Sequence, residues 1–148
     1  MPTEPCPDAV HAVFVYGTLK RGECRARCWP RRPLAVASAV IRGRLHDLGP
    51  YPALVPGDDR VRGELWRFHP ADMDETLRVL DEVEGATQLG DAYYRRIVVT
   101  CRCDDGQDCA AFAYEFVDRE RLKNHPIVPA DMHGECVWTG EAKLEEIE

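Results

Sequence analysis

The sequence is poor in the features that mark several large classes of protein. It contains one serine, Ser38, and no Gly-x-Ser-x-Gly motif, so a serine hydrolase elbow is absent. No apolar run approaches the roughly 20 residues that a transmembrane helix needs. Gly17 stands alone after a hydrophobic run, and a lone glycine makes neither a phosphate loop nor a dinucleotide site. These absences argue against serine hydrolases, membrane-spanning proteins and nucleotide-binding folds.

Basic residues are also in the minority. The 148 residues include 19 lysines and arginines against 26 aspartates and glutamates, giving a net charge of −7. Surfaces that bind nucleic acid or anionic membranes are normally basic, so neither partner is expected. The arginines between residues 21 and 32 form one local basic stretch, which we interpret as a solvated loop.

The N-terminal residues lack the pattern of a secretory signal. The first residues are proline-rich and acidic, with neither a basic start nor an apolar stretch, so we predict a cytoplasmic protein without a secretory signal. The length predicts one domain over residues 1–148. Within it, residues 1–9 are expected to fray and residues 140–148 to form an acidic tail.

Seven cysteines are present, an odd number that in a cytoplasmic chain predicts mostly reduced thiols. Cys24 and Cys28 are four apart and Cys101 and Cys103 two apart, so neither pair forms a Cys-x-x-Cys zinc knuckle. Cys103 and Cys109 bracket a turn-forming stretch and are predicted to face each other across a hairpin. We therefore predict no metal and no cofactor, with a cysteine-based redox or metal protein as a minor alternative.

The hydrophobic patterning predicts an α+β fold with a curled or barrel-like sheet of about five to six strands. Strands are predicted at 13–16, 38–45, 54–55, 61–68, 93–103 and 109–116, with a turn at 56–59. Gly63 interrupts one strand and marks either a bulge or the close approach of another backbone. One helix is predicted over 72–85, with Asp72 as N-cap and Gly85 as the C′ residue.

Glu84 lies at the end of the apolar stripe of that helix. At about 100° per residue, Met73, Leu77, Leu80 and Glu84 share one face. A carboxyl group on this face is expected to be partly buried, and burial raises its pKa toward the range that a general acid or base needs at neutral pH. The alternative is that the last turn frays and Glu84 points into water or pairs with an arginine.

The turn after the first strand is the second candidate for a functional site. The buried run ends at Tyr16, and Gly17, which has no Cβ, lets neighbouring N–H groups approach a ligand. The alternative is an ordinary exit from a strand. Tyr94 is a weaker candidate, because a tyrosine hydroxyl in a pocket can hold a carboxylate or an amine, but a buried tyrosine is more often core with one satisfied hydrogen bond.

Six short motifs occur in order over most of the chain. They are Val-Tyr-Gly-Thr-Leu-Lys-Arg-Gly at 15–22, Gly-Arg-Leu at 43–45 with Asp-Leu-Gly at 47–49, Tyr-Pro-Ala-Leu at 51–54, Val-Arg-Gly-Glu-Leu-Trp at 61–66, Leu-Asp-Glu-Val-Glu-Gly at 80–85 and Tyr-Arg-Arg at 94–96. In this combination the chain resembles the γ-glutamylcyclotransferase family, and especially its γ-glutamylamine cyclotransferase-like (AIG2-like) branch. Residues 23–29 depart from the asparagine or histidine often found there, and this departure bears on the leaving group.

The resemblance implies a small mixed β-barrel flanked by helices and a transferase or lyase reaction on a small γ-glutamyl substrate. The α-amine of the γ-glutamyl group would attack its own γ-carbonyl, releasing 5-oxoproline and an amine, amino acid or peptide. The resemblance makes Glu84 the general base, and it assigns the substrate α-carboxylate to the backbone of Tyr16, Gly17, Thr18 and Leu19. Tyr94 would line the same site.

The chemistry of the reaction agrees with this assignment, and one alternative stays open for the whole protein. Backbone N–H groups can bind the carboxylate without a cationic side chain, which would compete with the substrate ammonium for Glu84. The second hypothesis for the whole protein is a non-catalytic binding or regulatory protein that uses the same cavity for a carboxylate or γ-glutamyl ligand.

Overall fold

A computed structural model describes residues 10–23, 25–49, 51–84 and 94–139. The predicted frayed N-terminus, the predicted acidic tail, the predicted C′ residue Gly85 and the first residue of the predicted strand at 93 lie outside these described residues. The helices and strands are β1 (Ala12–Val15), β2 (Ala35–Asp47), β3 (Pro52–Arg67), α1 (Met73–Glu84), β4 (Tyr94–Cys103), β5 (Asp108–Phe116) and β6 (Glu135–Cys136). Short 3-10 turns lie at Ala26–Cys28, Pro70–Asp72 and Arg119–Leu122. None of the described helical segments has the length and apolarity to span a bilayer.

The sheet closes into a five-stranded barrel, which confirms the predicted α+β fold with a small mixed β-barrel. Its strands follow the order β1-β5-β4-β2-β3, and β1 pairs with β3 to close the ring, while β6 extends β3 on the outside. The pairing of β1 with β5 is parallel and places Val13 opposite Phe112. The pairing of β1 with β3 is antiparallel and places Phe14 opposite Leu65. Strand β1 is therefore paired with a neighbouring strand along both of its edges.

All four residues of β1 are buried, as the apolar run predicted. Because side chains alternate along a strand, they enter two different clusters. Phe14 packs in a cluster with Leu45 and Leu65, whereas Val13 packs in a second cluster that includes Leu80 of α1. The barrel is thus packed on both faces of β1, and this strand leads directly into the turn at Tyr16.

Gly63 in β3 is a point of close backbone approach, one of the two predicted alternatives. A Cβ at this position would lie inside van der Waals contact of the Val15 carbonyl oxygen and 2.7 Å from Phe14 Cζ. Only glycine, which has no Cβ, leaves room for β1 to pack this closely on β3. This position therefore controls how closely β1 can pack on β3.

Two local predictions were wrong, and both are matters of strand register. The predicted turn at 56–59 is a bulge within β3, because Gly43 pairs with Asp59 while the next residue, Arg44, pairs with Val55. In the β4–β5 hairpin, Cys109 lies opposite Cys101 instead of Cys103. The turn is tighter than predicted, since Cys103 donates its N–H to the carbonyl of Gln107 at 2.9 Å. The residue opposite Cys109 is therefore two positions earlier in β4 than predicted.

The start of the helical segment also differs from the prediction. His69 Nδ1 accepts the N–H of Ala71 at 3.1 Å and caps the 3-10 turn that precedes α1. Asp72, predicted as the N-cap, is the last residue of that turn. A proline at the first helical position favours this earlier start. The predicted apolar stripe is confirmed: Met73 and Leu80 are buried and Leu77 is partly buried.

Candidate active site

A cavity of about 270 Å³ opens where the end of β1, the start of β3 and the end of α1 meet. The six residues singled out from the sequence all line it: Tyr16, Gly17, Thr18, Leu19, Glu84 and Tyr94. Four lining residues to which the sequence assigned no role there are Arg25, Tyr51, Pro52 and Tyr114. Residues far apart in sequence therefore share one concave surface of the size that holds a small molecule.

The turn after β1 packs tightly on the start of β3. A Cβ on Gly17 would lie 2.7 Å from both Cγ and Cδ of Pro52, so the glycine permits the approach. The turn is closed by Lys20 N–H donating to the Gly17 carbonyl at 3.1 Å and Arg25 N–H donating to the Thr18 carbonyl at 2.8 Å. Within the described part of the chain, the N–H groups of residues 17–19 donate to no protein acceptor. They are available to an anion in the cavity.

Glu84 is the last residue of α1 and is partly buried. Burial raises the pKa of its carboxyl to about 7, and the positive charge of Arg25 acts in the opposite direction. The alternative in which Glu84 points freely into water does not fit this environment. The group can therefore exchange a proton near neutral pH.

Two tyrosines beside Glu84 have their hydroxyl groups occupied. Tyr94 donates to the carbonyl of Pro52 at 2.7 Å, and Tyr16 donates to the carbonyl of Tyr114. Burial raises the pKa of Tyr94 above its ordinary value, and the charge of Glu84 adds to the shift. Both side chains match the description of core tyrosines with one satisfied hydrogen bond. Their contribution to the cavity is a neutral aromatic wall.

Two polar contacts of Asp81 fix the end of α1 against the barrel. Tyr114 of β5 donates to Asp81 Oδ1 at 2.6 Å, and Arg96 of β4 pairs with Asp81 Oδ2 at 2.9 Å. The Arg96 guanidinium also lies over the Phe112 ring, 5.3 Å from its centroid. Asp81 precedes Glu84 by about one helical turn, so these contacts hold the end of α1 that carries Glu84. Sequence reasoning missed them, although Asp81 and Arg96 both lie in motifs that it quoted.

Replacing Tyr114 with phenylalanine is expected to lower the free energy of unfolding by about 1 to 2 kcal/mol, because Asp81 loses a charge-assisted hydrogen bond while keeping Arg96. Urea denaturation with an unchanged m-value would measure this loss. Tyr51→Phe is the control, since its ring packs edge-on to Tyr94 and that contact survives the change. Equal midpoints for the Tyr114 variant and the wild type would contradict the assignment.

Arg25 corrects one expectation drawn from the sequence. It belongs to the stretch interpreted as a solvated loop, yet it is partly buried and lines the cavity. Its Nη1 donates to the carbonyl of Val83 at 3.3 Å, which ties it to the end of α1. The site therefore contains a basic side chain that the sequence did not assign to it. The physical reason is that the chain folds back after Gly22, which the local sequence does not reveal.

Comparison with known proteins agrees with the resemblance found in the sequence. A family model described as gamma-glutamyl cyclotransferase, AIG2-like, matches residues 13–135. The γ-glutamylaminecyclotransferase of Homo sapiens is 36% identical over 96 residues, covering 59% of this chain and 59% of that protein. The γ-glutamylcyclotransferase family protein YtfP of Escherichia coli (strain K12) is 28% identical over 88 residues, covering 60% and 72% respectively.

The fold has solved counterparts as well. The crystal structure of an AIG2-like protein from Mus musculus superposes with a TM-score of 0.57 at 22% identity, covering 88% of this chain and 97% of that chain. A closed five-stranded mixed barrel with one flanking helix is thus the fold of AIG2-like proteins. The chain belongs to the γ-glutamyl cyclotransferase, AIG2-like family, as the six motifs indicated. This places it broadly among cyclotransferases.

Proposed function

We propose that the protein is a γ-glutamyl cyclotransferase that cleaves a γ-glutamyl amine or peptide. The α-nitrogen attacks the γ-carbonyl of the same glutamyl group, and the products are 5-oxoproline and a free amine or amino acid. The observation that carries the proposal is the shared cavity, in which a carboxyl with a pKa of about 7 lies with a turn rich in available N–H groups. Membership of the family supports the same reaction.

In this proposal the turn at residues 16–19 binds the substrate α-carboxylate. Its unoccupied N–H groups supply donors without a charge that would attract Glu84. Tyr16, Thr18 and Leu19 of this turn are buried, so the N–H donors are held in place before the ligand binds. A preorganised set of donors binds an anion without an added cost of ordering.

Glu84 is proposed to act on the substrate amine. An α-ammonium group is not a nucleophile, so it first loses a proton to the Glu84 carboxylate. The freed nitrogen forms a bond to the γ-carbon, and a tetrahedral oxyanion results. Glu84 then returns its proton to the leaving nitrogen and takes up the second proton of the ring nitrogen. When the intermediate collapses, the bond to the leaving nitrogen breaks, and the released amine takes that second proton from Glu84 and departs as an ammonium. Electrons and protons balance without an external reagent.

The remaining task of the cavity is conformational. Because both reacting groups belong to one molecule, catalysis requires that the glutamyl chain be held folded, with the nitrogen close to the γ-carbon. The neutral aromatic wall of Tyr16 and Tyr94 limits the extended conformers that fit in about 270 Å³. It also keeps water away from the developing charge.

The direct experiment is to incubate the protein with a panel of γ-glutamyl compounds and to measure 5-oxoproline. The panel includes γ-glutamyl alkylamines, γ-glutamyl amino acids and a γ-glutamyl-ε-lysine conjugate. Turnover of at least one compound is expected. Saturable binding of these compounds without 5-oxoproline would favour the non-catalytic binding protein instead.

The cytoplasmic location, the single domain over residues 1–148 and the lack of nucleic-acid and membrane partners stay predictions from the sequence.

The activity is expected to rise with pH through about 7. Glu84 must be deprotonated to accept the substrate proton, and burial raises the pKa of its carboxyl to about 7. The kcat/KM of the free enzyme should therefore fall about tenfold for each pH unit below that pKa. Initial rates at low substrate concentration between about pH 5 and pH 8 would measure the profile. A profile that is flat across this range would contradict the role of Glu84 as base.

A further inference from the structure

Arg25 is the one basic side chain lining the cavity among the described residues. The other charged residues on its wall are Glu82 and Glu84. In the proposed cyclisation the turn binds the α-carboxylate and Glu84 acts on the amine, so neither of these two tasks is assigned to the guanidinium. A cation beside the catalytic base even opposes its raised pKa. A guanidinium at this position is able to bind an anionic group of the ligand.

The position of Arg25 is fixed from two sides. Its backbone N–H donates to the Thr18 carbonyl at 2.8 Å, and its Nη1 donates to the Val83 carbonyl at 3.3 Å. Val83 precedes Glu84, so the guanidinium lies beside the catalytic carboxyl. No carboxylate among the described residues comes within ion-pair distance of Arg25. Most of its five N–H donors therefore remain available to a ligand.

Arg25 is more exposed than the turn that is proposed to bind the α-carboxylate. Thr18 and Leu19 are buried, whereas Arg25 is partly exposed, so the wall that it forms lies nearer to solvent. The glutamyl head group occupies the buried end in the proposed mechanism, and the leaving group must depart toward solvent. Arg25 is thus placed beside the leaving group, close to the carboxyl that protonates its nitrogen.

The guanidinium matches a particular kind of leaving group. Its planar fork binds a carboxylate through two parallel hydrogen bonds. In a γ-glutamyl amino acid the free carboxylate of the leaving residue lies two covalent bonds from the scissile nitrogen. A group that protonates this nitrogen and a group that binds this carboxylate must therefore be neighbours, as Glu84 and Arg25 are.

We infer that Arg25 is a specificity residue that selects substrates whose leaving group carries a carboxylate next to the scissile nitrogen. The preferred class is then γ-glutamyl amino acids and short γ-glutamyl peptides. Neutral alkylamine conjugates lack a partner for the guanidinium, and cationic leaving groups are repelled by it. This inference rests on the proposed cyclotransferase function and narrows its substrate class.

The test compares two substrates that differ in one group, γ-glutamylglycine and γ-glutamylglycinamide. The wild type is expected to favour the acid by about tenfold to a hundredfold in kcat/KM. Arg25→Gln should remove this preference by raising KM for the acid, whereas the effect of the lost charge on Glu84 changes kcat/KM for the acid and the amide by the same factor. Arg25→Lys should keep part of it, since charge remains but the fork is lost. Arg27→Gln, an exposed neighbour, serves as the matched control and should behave as the wild type.

The outcomes separate the two proposals. If the wild type forms 5-oxoproline from both substrates equally, or Arg25→Gln weakens both equally, Arg25 is not a leaving-group residue, while the cyclotransferase function stands. If no 5-oxoproline forms, the proposed function fails, and the Arg25 inference is then decided by calorimetry. There Glu84→Gln should bind the acid more tightly than the amide, and Arg25→Gln in that background should abolish the difference. Equal affinities would overturn it.

Discussion

Replacement of Glu84 by glutamine is expected to lower kcat for 5-oxoproline formation by about 100-fold to 10,000-fold, the usual contribution of a positioned acid or base. Glutamine keeps the shape of the side chain but cannot accept the ammonium proton. The affinity for a γ-glutamyl ligand should therefore be retained, because the turn at 16–19 and the aromatic wall are unchanged. Turnover assays and calorimetry on the same preparation measure both quantities.

Stability provides an internal control for this variant. Because burial raises the pKa of Glu84 from 4.5 to about 7, the folded state disfavours the charged carboxyl. That cost appears as the pH rises through this window and is present in full above it. Glu84→Gln should therefore be at least as stable as the wild type at about pH 8. Asp74→Asn, on the exposed face of the same helix, should keep full activity. A fully active Glu84→Gln protein would refute the mechanism.

Gly63→Ala is expected to lower the free energy of unfolding by about 3 kcal/mol, at the upper end of the cost of overpacking. The added Cβ would overlap the Val15 carbonyl oxygen and lie 2.7 Å from Phe14 Cζ. The backbone oxygen cannot move aside easily, because Val15 is held in register opposite Glu64 and β1 closes the barrel. Urea denaturation would measure the loss.

Gly106→Ala separates this clash from the cost of replacing any glycine. Gly106 has a φ of +88°, and no atom lies within 4 Å of a Cβ built there. Its substitution should cost about 1 kcal/mol through backbone strain alone. If Gly63→Ala costs no more than Gly106→Ala, the close approach of β1 to β3 is not a constraint on the fold.

The Gly63 and Tyr114 variants test two packing requirements of the proposed site. The barrel must close tightly around β1 so that the turn following it presents its N–H groups at a defined place. The helix must be tied to β4 and β5 through Asp81 so that Glu84 faces that turn. A loss of either contact is expected to alter the distance between the carboxylate site and the base, to which intramolecular cyclisation is sensitive.

Features with a local period could be read from the sequence alone. The run 13–16 was recognisable as buried because four apolar residues precede a glycine, and β1 has these properties. The face shared by Met73, Leu80 and Glu84 followed from helical geometry, and the burial of Met73 and Leu80 confirms it. The raised pKa of Glu84 was predictable for the same reason, since its face of the helix meets the barrel.

Only the tertiary structure decided the strand register, the closure of the barrel and the full lining of the cavity. The parallel pairing of β1 with β5 joins residues about 100 positions apart, and no local pattern encodes such a partner. The contacts of Tyr114 with Asp81 and of Arg25 with Val83 have the same origin. Periodicity determines which face of an element is buried, because that depends on a few consecutive residues. Which side chains meet on that face depends on long-range packing. Glu84 was therefore predictable from the sequence, whereas its basic neighbour Arg25 was not.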